Sequence, residues 1–269
     1  MRVSVVIPAH NEEGNIGRLV EETFDVVPQD MLGEVIVVDD NSADRTGDEV
    51  RALLERFKSL RLLRCAERGG QSAAIRTGVL AAAYPVIATM DGDGQNDPGD
   101  IAKMVDRLGA PGGEGPALVG GIRHQRKADF SRRFASDFAN WIRDRALRDE
   151  CPDTGCGIKV YWREAFLRLP YFTTMHRYMP ALFLSYGHRA EYVEVNDRPR
   201  IAGTSKYSNL GRALVGLYDL VGVTWLRRRT HVPLIAEDSG VEGRVSELAD
   251  KVEERRGGSR NQTRSRGGR

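Results

Sequence analysis

Short apolar segments alternate with amphipathic ones through residues 1–121 of the chain. The apolar segments have the length and the Val and Ile content of buried strands, and the amphipathic ones repeat with the 3.6-residue period of helices. The predicted strands are residues 3–7, 34–38, 60–63, 86–90 and 117–121. The predicted helices are residues 16–27, 46–57, 72–83 and 101–108. This alternation predicts an α/β fold with a mostly parallel sheet flanked by helices.

Polar clusters directly follow three of these predicted strands. They read His-Asn-Glu-Glu at 10–13, Asp-Asp-Asn-Ser at 39–42 and Asp-Gly-Asp at 91–93. Because the carboxyl ends of parallel strands lie at one edge of a sheet, we expect the three clusters to line one crevice. Asp91 and Asp93 are one residue apart, so in an extended chain both carboxylates face the same way and suit one hard cation. The pattern predicts a site for a metal-held nucleotide diphosphate.

Spacing tests two other interpretations of this Asp-Gly-Asp sequence. A calcium loop beginning at Asp91 needs glycine at its sixth position and glutamate at its twelfth, where the chain has Asn96 and Ala102. A dinucleotide-binding fold needs a G-x-G-x-x-G sequence after the first strand, where the chain has Ala-His-Asn-Glu-Glu. A polar turn capped by aspartates explains an isolated Asp-Gly-Asp but not the two clusters that accompany it.

Composition indicates a soluble globular protein. The 269 residues are 41% hydrophobic and 29% charged, and the net charge of +2 gives no indication of nucleic acid binding. Cys65, Cys151 and Cys156 are odd in number and form no CxxC pair, which predicts a reducing compartment; a zinc site at the last two lacks a second pair of ligands. The N-terminus does not resemble a signal peptide, and no segment approaches the roughly 20 apolar residues of a membrane span.

The second half of the chain combines aromatic and basic residues. An aromatic stripe at helical spacing is flanked by arginines, and it fits either a core helix or an interfacial helix on an anionic membrane. Its members are Phe130, Phe134, Phe138, Trp141 and Ile142. Residues 210–226 form a second, largely apolar predicted helix, and residues 236–269 are polar. Six arginines and no acid fall within residues 255–269, which predicts a disordered basic tail.

Several segments together resemble family 2 glycosyltransferases, which have the Rossmann-like GT-A fold. In the first half these are VSVVIPAHNEE at 3–13, VIVVDDNS at 35–42, GQSAA at 70–74 and DGDGQNDP at 91–98. In the second half, the resemblance is to the polyprenyl-phosphate branch, typified by dolichol-phosphate mannose synthase. The matching segments there are GIR at 121–123, RR at 132–133, DTGCGIK at 153–159 and RIAGTSKY at 200–207. The resemblance extends over residues 2–226.

The resemblance implies roles for individual residues. The nucleotide sugar would be held by Pro8, Ala9, Glu12, Asp39, Asp40, Gln71 and Asp91. Mg²⁺ or Mn²⁺ would be bound by Asp91, Asp93 and Gln95. The acceptor phosphate would be bound by Arg123, Arg132 and Arg200. Lys206 would also contact it, or Arg133 would do so in place of Arg132. Purely structural roles compete for three acidic residues, since Glu12 and Glu13 also suit the first turn of a helix and Asp44 suits a helix cap.

The acceptor follows from the absence of an evident base. A hydroxyl acceptor needs a carboxylate to take its proton, usually in a Glu-Asp pair, but the Glu-Asp pair here is Glu237 and Asp238 near the tail, and His176 lies where the pair is expected. A phosphate monoester is already largely ionised at neutral pH and needs no base. Arginines bind phosphate bidentately. Arg123 and Arg200, at the positions that the resemblance implies for the acceptor phosphate, therefore suit a phosphate acceptor.

The sequence therefore predicts a metal-dependent, inverting glycosyltransferase that moves a sugar, mannose by default, from a GDP- or UDP-sugar to a polyprenyl or dolichyl phosphate. The predicted location is the cytoplasmic face of the membrane, in peripheral contact. Residues 1–235 form the predicted GT-A domain, with a nucleotide-sugar half at 1–120, an acceptor half with interfacial helices at 121–235, and a tail at 236–269. Two alternatives remain: a GT-A enzyme with a hydroxyl acceptor, and a non-catalytic, membrane-associated nucleotide-binding adaptor.

Overall fold

A seven-stranded sheet forms the centre of the molecule. The computed structural model describes residues 1–123, 145–147, 149, 151–199 and 209–231, with the side chains of the last helix described from residue 216. The strands are β1 Val3–Ala9, β2 Leu32–Asp39, β3 Leu60–Arg64, β4 Val86–Thr89, β5 Pro116–Arg123, β6 Lys159–Trp162 and β7 Arg189–Val195. Their order across the sheet is β3-β2-β1-β4-β6-β5-β7.

Most neighbouring strands in this sheet are parallel. β1 pairs in parallel with β2 and β4, β2 with β3, and β5 with β7. The short strand β6 is antiparallel to both of its neighbours, β4 and β5. The prediction of a mostly parallel α/β sheet is confirmed, and each of the five predicted strands is present. The pattern did not predict β6 and β7, which join the second half of the chain to the same sheet.

The helices follow the predicted alternation. They are α1 Ile16–Val26, α2 Thr46–Leu53, α3 Gln71–Ala81, α4 Asp100–Arg107, α5 Arg163–Leu167, α6 Met179–Ser185 and α7 Asn209–Arg229, with a 3₁₀ turn at Met175–Arg177. Among the predicted helices, only α2 departs clearly, ending at Leu53 rather than at residue 57. The short helices α5 and α6 were not predicted. The chain turns there, and the Phe57 ring stacks on Phe24 with their centroids 4.2 Å apart.

Burial explains why the strands around the site are held rigidly. Every residue of β1 and β2 is buried, as expected for parallel strands covered by helices on both faces. Helix α3 packs closely on this centre, because a Cβ added at Gly78 would lie 2.4 Å from Cγ1 of Val6. The first turn of α3 is therefore fixed against the carboxyl edge of the sheet, where the predicted site lies.

Three features of the described residues bear on the other predictions. Cys65, Cys151 and Cys156 are free thiols. Within the described part of the chain, no helix combines the length and the apolar character needed to cross a bilayer. The predicted boundary between residues 235 and 236 lies outside the described residues, as does the aromatic stripe that begins at Phe130.

Candidate active site at the carboxyl edge of the sheet

The loops that follow β1 and β2 lie side by side. The Asp40 N–H donates a 2.8 Å hydrogen bond to the carbonyl oxygen of Ala9, which joins the two strand ends. Asp39 is completely buried. Its Oδ1 accepts a 2.8 Å bond from the Ser42 N–H, and its Oδ2 lies 3.3 Å from Nε of Arg64. In this structure, the Asp39 carboxylate stabilises the loop from the inside.

Asp40 connects the second loop to helix α3. Its two carboxylate oxygens accept hydrogen bonds of 2.7 and 2.8 Å from the N–H groups of Gly69 and Gly70. Gly70 has a φ of +84°, a conformation that glycine adopts without strain. The next residue, Gln71, begins α3 and donates a 2.7 Å bond from Nε2 to Oδ1 of Asp91. These contacts bring the second and fourth strand ends together, as the sequence predicted.

Glu12 and Asp44 have local structural contacts before helices α1 and α2. Glu12 precedes the first turn of α1 and its Oε2 accepts a 3.0 Å bond from Asn15. Asp44 accepts hydrogen bonds from the Thr46 N–H and hydroxyl at the start of α2, and from the Glu13 N–H. The structural interpretation of Asp44 as a helix-start residue therefore agrees with its contacts.

The loop after β4 presents the carboxylate pair. The Asp91 N–H donates to Oδ1 of Asn96, and the Gln95 N–H donates to Oδ1 of Asp93, each at 3.1 Å. The Gln95 side chain donates through Nε2 to the carbonyl oxygen of Arg198 at 3.3 Å, so its amide oxygen remains as the ligand atom. The loop thus carries two carboxylates and one amide oxygen, the three groups predicted to bind a metal.

Asp91 lies in a tightly enclosed position. A Cβ added at Gly157 would lie 2.3 Å from Oδ2 of Asp91, and one added at Gly92 would lie 3.0 Å from the carbonyl oxygen of Pro8. Burial and the neighbouring charge of Asp93 raise the pKa of the Asp91 carboxyl. Lys159 and Arg123 oppose that rise through their positive charges. Two partly buried carboxylates that repel each other are stabilised by a cation.

The donor set fits a cation that a diphosphate completes. Among the residues that the structure describes, no three His, Cys, Asp or Glu side chains gather into a metal site. Mg²⁺ commonly uses only one or two carboxylates, and substrate phosphates and water supply its other ligands. Asp91 and Asp93 with the Gln95 amide match this arrangement.

Arg123 forms a two-bond ion pair at the end of β5. Its Nε and Nη2 donate to the two carboxylate oxygens of Asp153, each at 2.7 Å, and both side chains are largely buried. Although burial opposes ionisation, the Arg123 guanidinium lowers the pKa of Asp153. The other predicted acceptor cations lie outside the described residues: Arg132, Arg133, Arg200 and Lys206.

Arg198 fixes the loop after β4 from the side of β7. Its N–H donates to the carbonyl oxygen of Gln95 at 3.0 Å, and its guanidinium pairs with Glu22 at 2.6 Å and with Asp97 at 2.8 Å. Asp197 bridges to Asn96 through the backbone, and its Oδ1 is buried without a hydrogen-bond partner among the described residues. Neither Arg198 nor Asp197 is evident from the sequence as part of the site, because their partners are distant in the chain.

Lys159 is a buried cation at the end of the DTGCGIK segment, and the sequence predicts no role for it. It begins β6, is only 6% exposed, and donates from Nζ to the carbonyl oxygen of Cys156. Its charge acts on Asp91 and on His176. The one available signal was a lysine at the end of an otherwise apolar and glycine-rich segment.

His176 is held as a neutral side chain. Its N–H donates to Oγ of Ser72 at 3.2 Å, and its Nδ1 lies 2.7 Å from the same hydroxyl. Burial, with the charges of Lys159 and Arg177, lowers the pKa of His176 to about 3. An imidazole with so low a pKa is neutral at pH 7 and is a weak general base.

Stability should depend on pH through His176. Its folded pKa of about 3 lies below the ordinary value of 6.5, so the neutral form stabilises the protein fully above pH 6.5 and this contribution is lost as the pH falls towards 3. Between pH 6.5 and 5, the wild type should lose about 2 kcal/mol more unfolding free energy than His176→Asn, by urea denaturation. His231→Asn, at an exposed position, is the matched control. Equal pH dependence in the wild type and His176→Asn would contradict this assignment.

Comparison with known proteins decides the family. The family model described as "Glycosyl transferase family 2" matches residues 4–169. The chain belongs to glycosyl transferase family 2. It is 33% identical to a dodecaprenyl-phosphate galacturonate synthase of Rhizobium johnstonii, over 85% of this chain and 68% of that protein. It is 30% identical to an undecaprenyl-phosphate 4-deoxy-4-formamido-L-arabinose transferase of Pectobacterium carotovorum, over 81% of this chain and 66% of that protein.

Solved structures agree with the fold of this family 2 glycosyltransferase. A glucosyl-3-phosphoglycerate synthase from Mycobacterium tuberculosis, crystallised with Mg²⁺ and UDP, has a TM-score of 0.63 at 20% identity. The same protein with Mn²⁺, UDP-glucose and phosphoglyceric acid also has a TM-score of 0.63, at 21% identity. Each match covers 89% of this chain, with 81% and 82% of the solved chains. The predicted GT-A fold is confirmed.

Proposed function

We propose that this glycosyltransferase moves a sugar from a nucleotide sugar to a polyprenyl phosphate, with a divalent cation and with inversion. The observation that carries the proposal is that one short loop contacts both Arg123 and Asp91. A Cβ added at Gly155 would lie 2.8 Å from Nη2 of Arg123, and one added two residues later, at Gly157, would lie 2.3 Å from Oδ2 of Asp91. Arg123, which suits an anionic acceptor, and the carboxylate pair, which suits a metal-held diphosphate donor, therefore share one crevice. The names of the two relatives, both of which specify a polyprenyl-phosphate acceptor, support the same class.

The donor side is formed by the loops after β1, β2 and β4. The proposed nucleotide-sugar residues are Pro8, Ala9, Glu12, Asp39, Asp40, Gln71 and Asp91. Asp40 and Gln71 are joined through Gly69 and Gly70. A nucleotide that contacts Asp40 would therefore also affect the position of Gln71. Mannose remains the default prediction for the sugar, although the relatives' names specify galacturonate and formamido-arabinose. The choice between GDP and UDP belongs to the same proposal.

The chemistry is an in-line displacement. A phosphate oxygen of the lipid attacks the anomeric carbon, the bond to the nucleoside diphosphate breaks, and the configuration inverts. Arg123, fixed by Asp153, orients the acceptor phosphate by charge-assisted hydrogen bonds, with the undescribed Arg132, Arg133, Arg200 and Lys206 as further proposed contacts. Asp91, Asp93 and Gln95 would hold Mg²⁺ or Mn²⁺, which would neutralise charge on the departing diphosphate.

His176 argues against a hydroxyl acceptor. A hydroxyl must lose its proton to a base during attack, and His176 is positioned near the expected place of such a base. The ring, however, has a pKa lowered to about 3, and its Nδ1 lies in a 2.7 Å hydrogen bond with the Ser72 hydroxyl. A phosphate acceptor, ionised before it arrives, needs no such group.

Product analysis tests the acceptor class. The purified protein is incubated with Mn²⁺, lipid phosphate and a panel of GDP-mannose, UDP-glucose and UDP-galacturonate. One donor should yield a lipid-soluble product that mild acid cleaves, because a glycosyl phosphate is acid-labile. His176→Asn should retain activity within about tenfold, whereas loss of a general base costs about 10²–10⁴-fold. A product that is exclusively water-soluble would refute the lipid acceptor.

Helix α7 provides a surface for the proposed peripheral membrane contact. Four apolar side chains on it are strongly exposed: Leu217 at 55%, Tyr218 at 80%, Val221 at 65% and Trp225 at 60%. With 100° per residue, they lie within one arc of the helix, opposite the buried Leu220 and Val223. An exposed aromatic and aliphatic face of this kind is typical of helices that lie in a membrane interface.

Loss of this face should weaken membrane binding without affecting the site. The double variant Tyr218→Ser/Trp225→Ser should bind neutral phosphatidylcholine vesicles at least tenfold more weakly in a flotation assay, because two aromatic side chains no longer bury their surface in the membrane interface. The rate of sugar transfer to a detergent-dispersed lipid phosphate should change less than threefold in this variant. Leu80→Ser, which removes an exposed apolar side chain from α3, is the control. Unchanged flotation of the double variant would contradict the assignment of this face.

A further inference from the structure

A basic cavity lies beside α7, away from the proposed catalytic site. Its volume is 380 Å³. Among the residues that the structure describes, its lining consists of Arg145, Ala146, Ser185, Thr224, Arg227 and Arg228. This described lining contains three arginines and two hydroxyl side chains. Nothing in the proposed transfer reaction uses this cavity.

The arginines come from two separate segments of the chain. Arg227 and Arg228 end α7, where positive charge also complements the helix dipole, and Arg227 donates from Nε to Oγ of Ser185 at 3.0 Å. Arg145 belongs to residues 145–147, whose Leu147 is fully buried in the core. The helix dipole explains a basic last turn but not a third arginine brought from another segment. Like charges that converge on one cavity indicate an anionic ligand, which Arg binds bidentately.

The cavity lies towards the opposite end of β5 from Arg123. Ser185, which lines it, precedes Arg189 by four residues, and Arg189 pairs with Pro116 at the first residue of β5, whereas Arg123 is the last. Helix α6 begins next to Tyr178, near His176, and its last residue, Ser185, lines the cavity about 9 Å further along. Helix α7 contacts the His176 region through Asp219, whose Oδ2 accepts a 2.7 Å bond from Thr174. Arg228 lies nine residues beyond Asp219, or about 14 Å along the helix.

The cavity borders the exposed apolar face of α7. Arg228 follows Trp225 by three residues and Val221 by seven, so the three side chains share one side of the helix. A ligand bound here would place its anionic group among the arginines and its apolar part along Trp225 and Val221. That combination is the chemistry of a membrane phospholipid with an anionic headgroup.

We propose that Arg145, Arg227 and Arg228 form a binding site for the phosphate of an anionic phospholipid, separate from the acceptor site. The site would orient the enzyme on the bilayer that contains its substrate. This proposal rests on the proposed membrane contact of α7 but not on the acceptor or the sugar. Arg229, exposed in the same turn but outside the cavity lining, provides a matched control of equal charge.

Vesicle partitioning of the full chain tests the site. Flotation with phosphatidylcholine vesicles is compared with vesicles containing phosphatidylglycerol. Arg145→Gln and Arg228→Gln should each reduce the preference for phosphatidylglycerol at least tenfold. Arg229→Gln should reduce it no more than about fivefold, the general effect of one charge near an anionic surface. The double variant Arg145→Gln/Arg228→Gln should lose less of the phosphatidylglycerol preference than the product of the two single losses, because both arginines contact one phosphate.

The other outcomes overturn the proposal. If the variants at Arg145, Arg228 and Arg229 lose the phosphatidylglycerol preference equally, and if the losses multiply in the double variant, the protein has only a diffuse attraction to the anionic surface. If the wild type binds phosphatidylcholine vesicles but has no phosphatidylglycerol preference, the headgroup site fails while the membrane contact of α7 stands. If inorganic phosphate at millimolar concentration removes the phosphatidylglycerol preference, the cavity binds free phosphate rather than lipid. Thermal unfolding of each variant checks folding, and a variant with a lowered Tm is replaced by the Lys substitution at the same position, which keeps charge but not bidentate geometry.

Discussion

Asp93→Asn is expected to lower kcat of sugar transfer by about 1000-fold or more while the protein remains folded. A divalent cation contributes several kcal/mol to stabilising charge in a transition state, and about 4 kcal/mol corresponds to a factor of about 1000 in rate. The amide retains an oxygen for the Gln95 N–H, so the loop keeps its hydrogen bond. The variant also removes the charge that raises the pKa of Asp91, so Tm at pH 7 should be unchanged or slightly higher.

Three measurements make this prediction specific. The increase in Tm produced by Mn²⁺ with a nucleoside diphosphate should disappear in Asp93→Asn, since ligands stabilise the state they bind. Asp106→Asn, at an exposed position of α4, removes the same charge outside the site and should retain full activity. If Asp93→Asn is inactive in vitro but fully functional in cells, the non-catalytic adaptor is favoured over the enzyme.

Arg123→Gln is expected to affect both stability and transfer. The ion pair with Asp153 is largely buried, and removing one partner of such a pair costs about 3–5 kcal/mol because the other charge is left unpaired. At 3 kcal/mol, Tm should fall by about 6–12 °C. Loss of a charge-assisted contact to the acceptor phosphate should lower kcat/KM by about 10- to 100-fold.

A second substitution separates the two roles of Arg123. In Arg123→Gln/Asp153→Asn, the two amides replace the ion pair, so most of the lost stability should return. Transfer should remain impaired, with a raised KM for lipid phosphate and an unchanged KM for the nucleotide sugar. If the double variant recovers transfer together with stability, Arg123 is a structural residue and does not contact the acceptor.

The first half of the site was predictable because its signals are local. Strands and helices in an α/β unit have distinct periods, and strand ends in a parallel sheet meet at one edge. Those two rules are sufficient to place Asp40 and Asp91 at the same crevice. They do not predict that Gly69 and Gly70 connect the two residues, because those hydrogen bonds join positions about thirty apart in the chain.

The second half was less predictable because its strands are short or atypical. β6 has four residues and lies antiparallel between β4 and β5, an arrangement that no local period encodes. That insertion buries Lys159 near Asp91 and brings Gly157 against its carboxylate. A lysine within a glycine-rich segment has no distinctive pattern, so its burial is evident only from the neighbouring strands.

The sequence by itself determined the α/β alternation, the acidic clusters at three strand ends and the resemblance to a sugar-transferring family, since all are carried by contiguous residues. The tertiary structure alone decided three further points: that Asp153 pairs with Arg123, that burial with the charges of Lys159 and Arg177 lowers the pKa of His176, and that Arg145 lines one cavity with the end of α7. Each depends on burial and on contacts between distant segments. Those conditions set the charge of a side chain, and a linear pattern does not contain them.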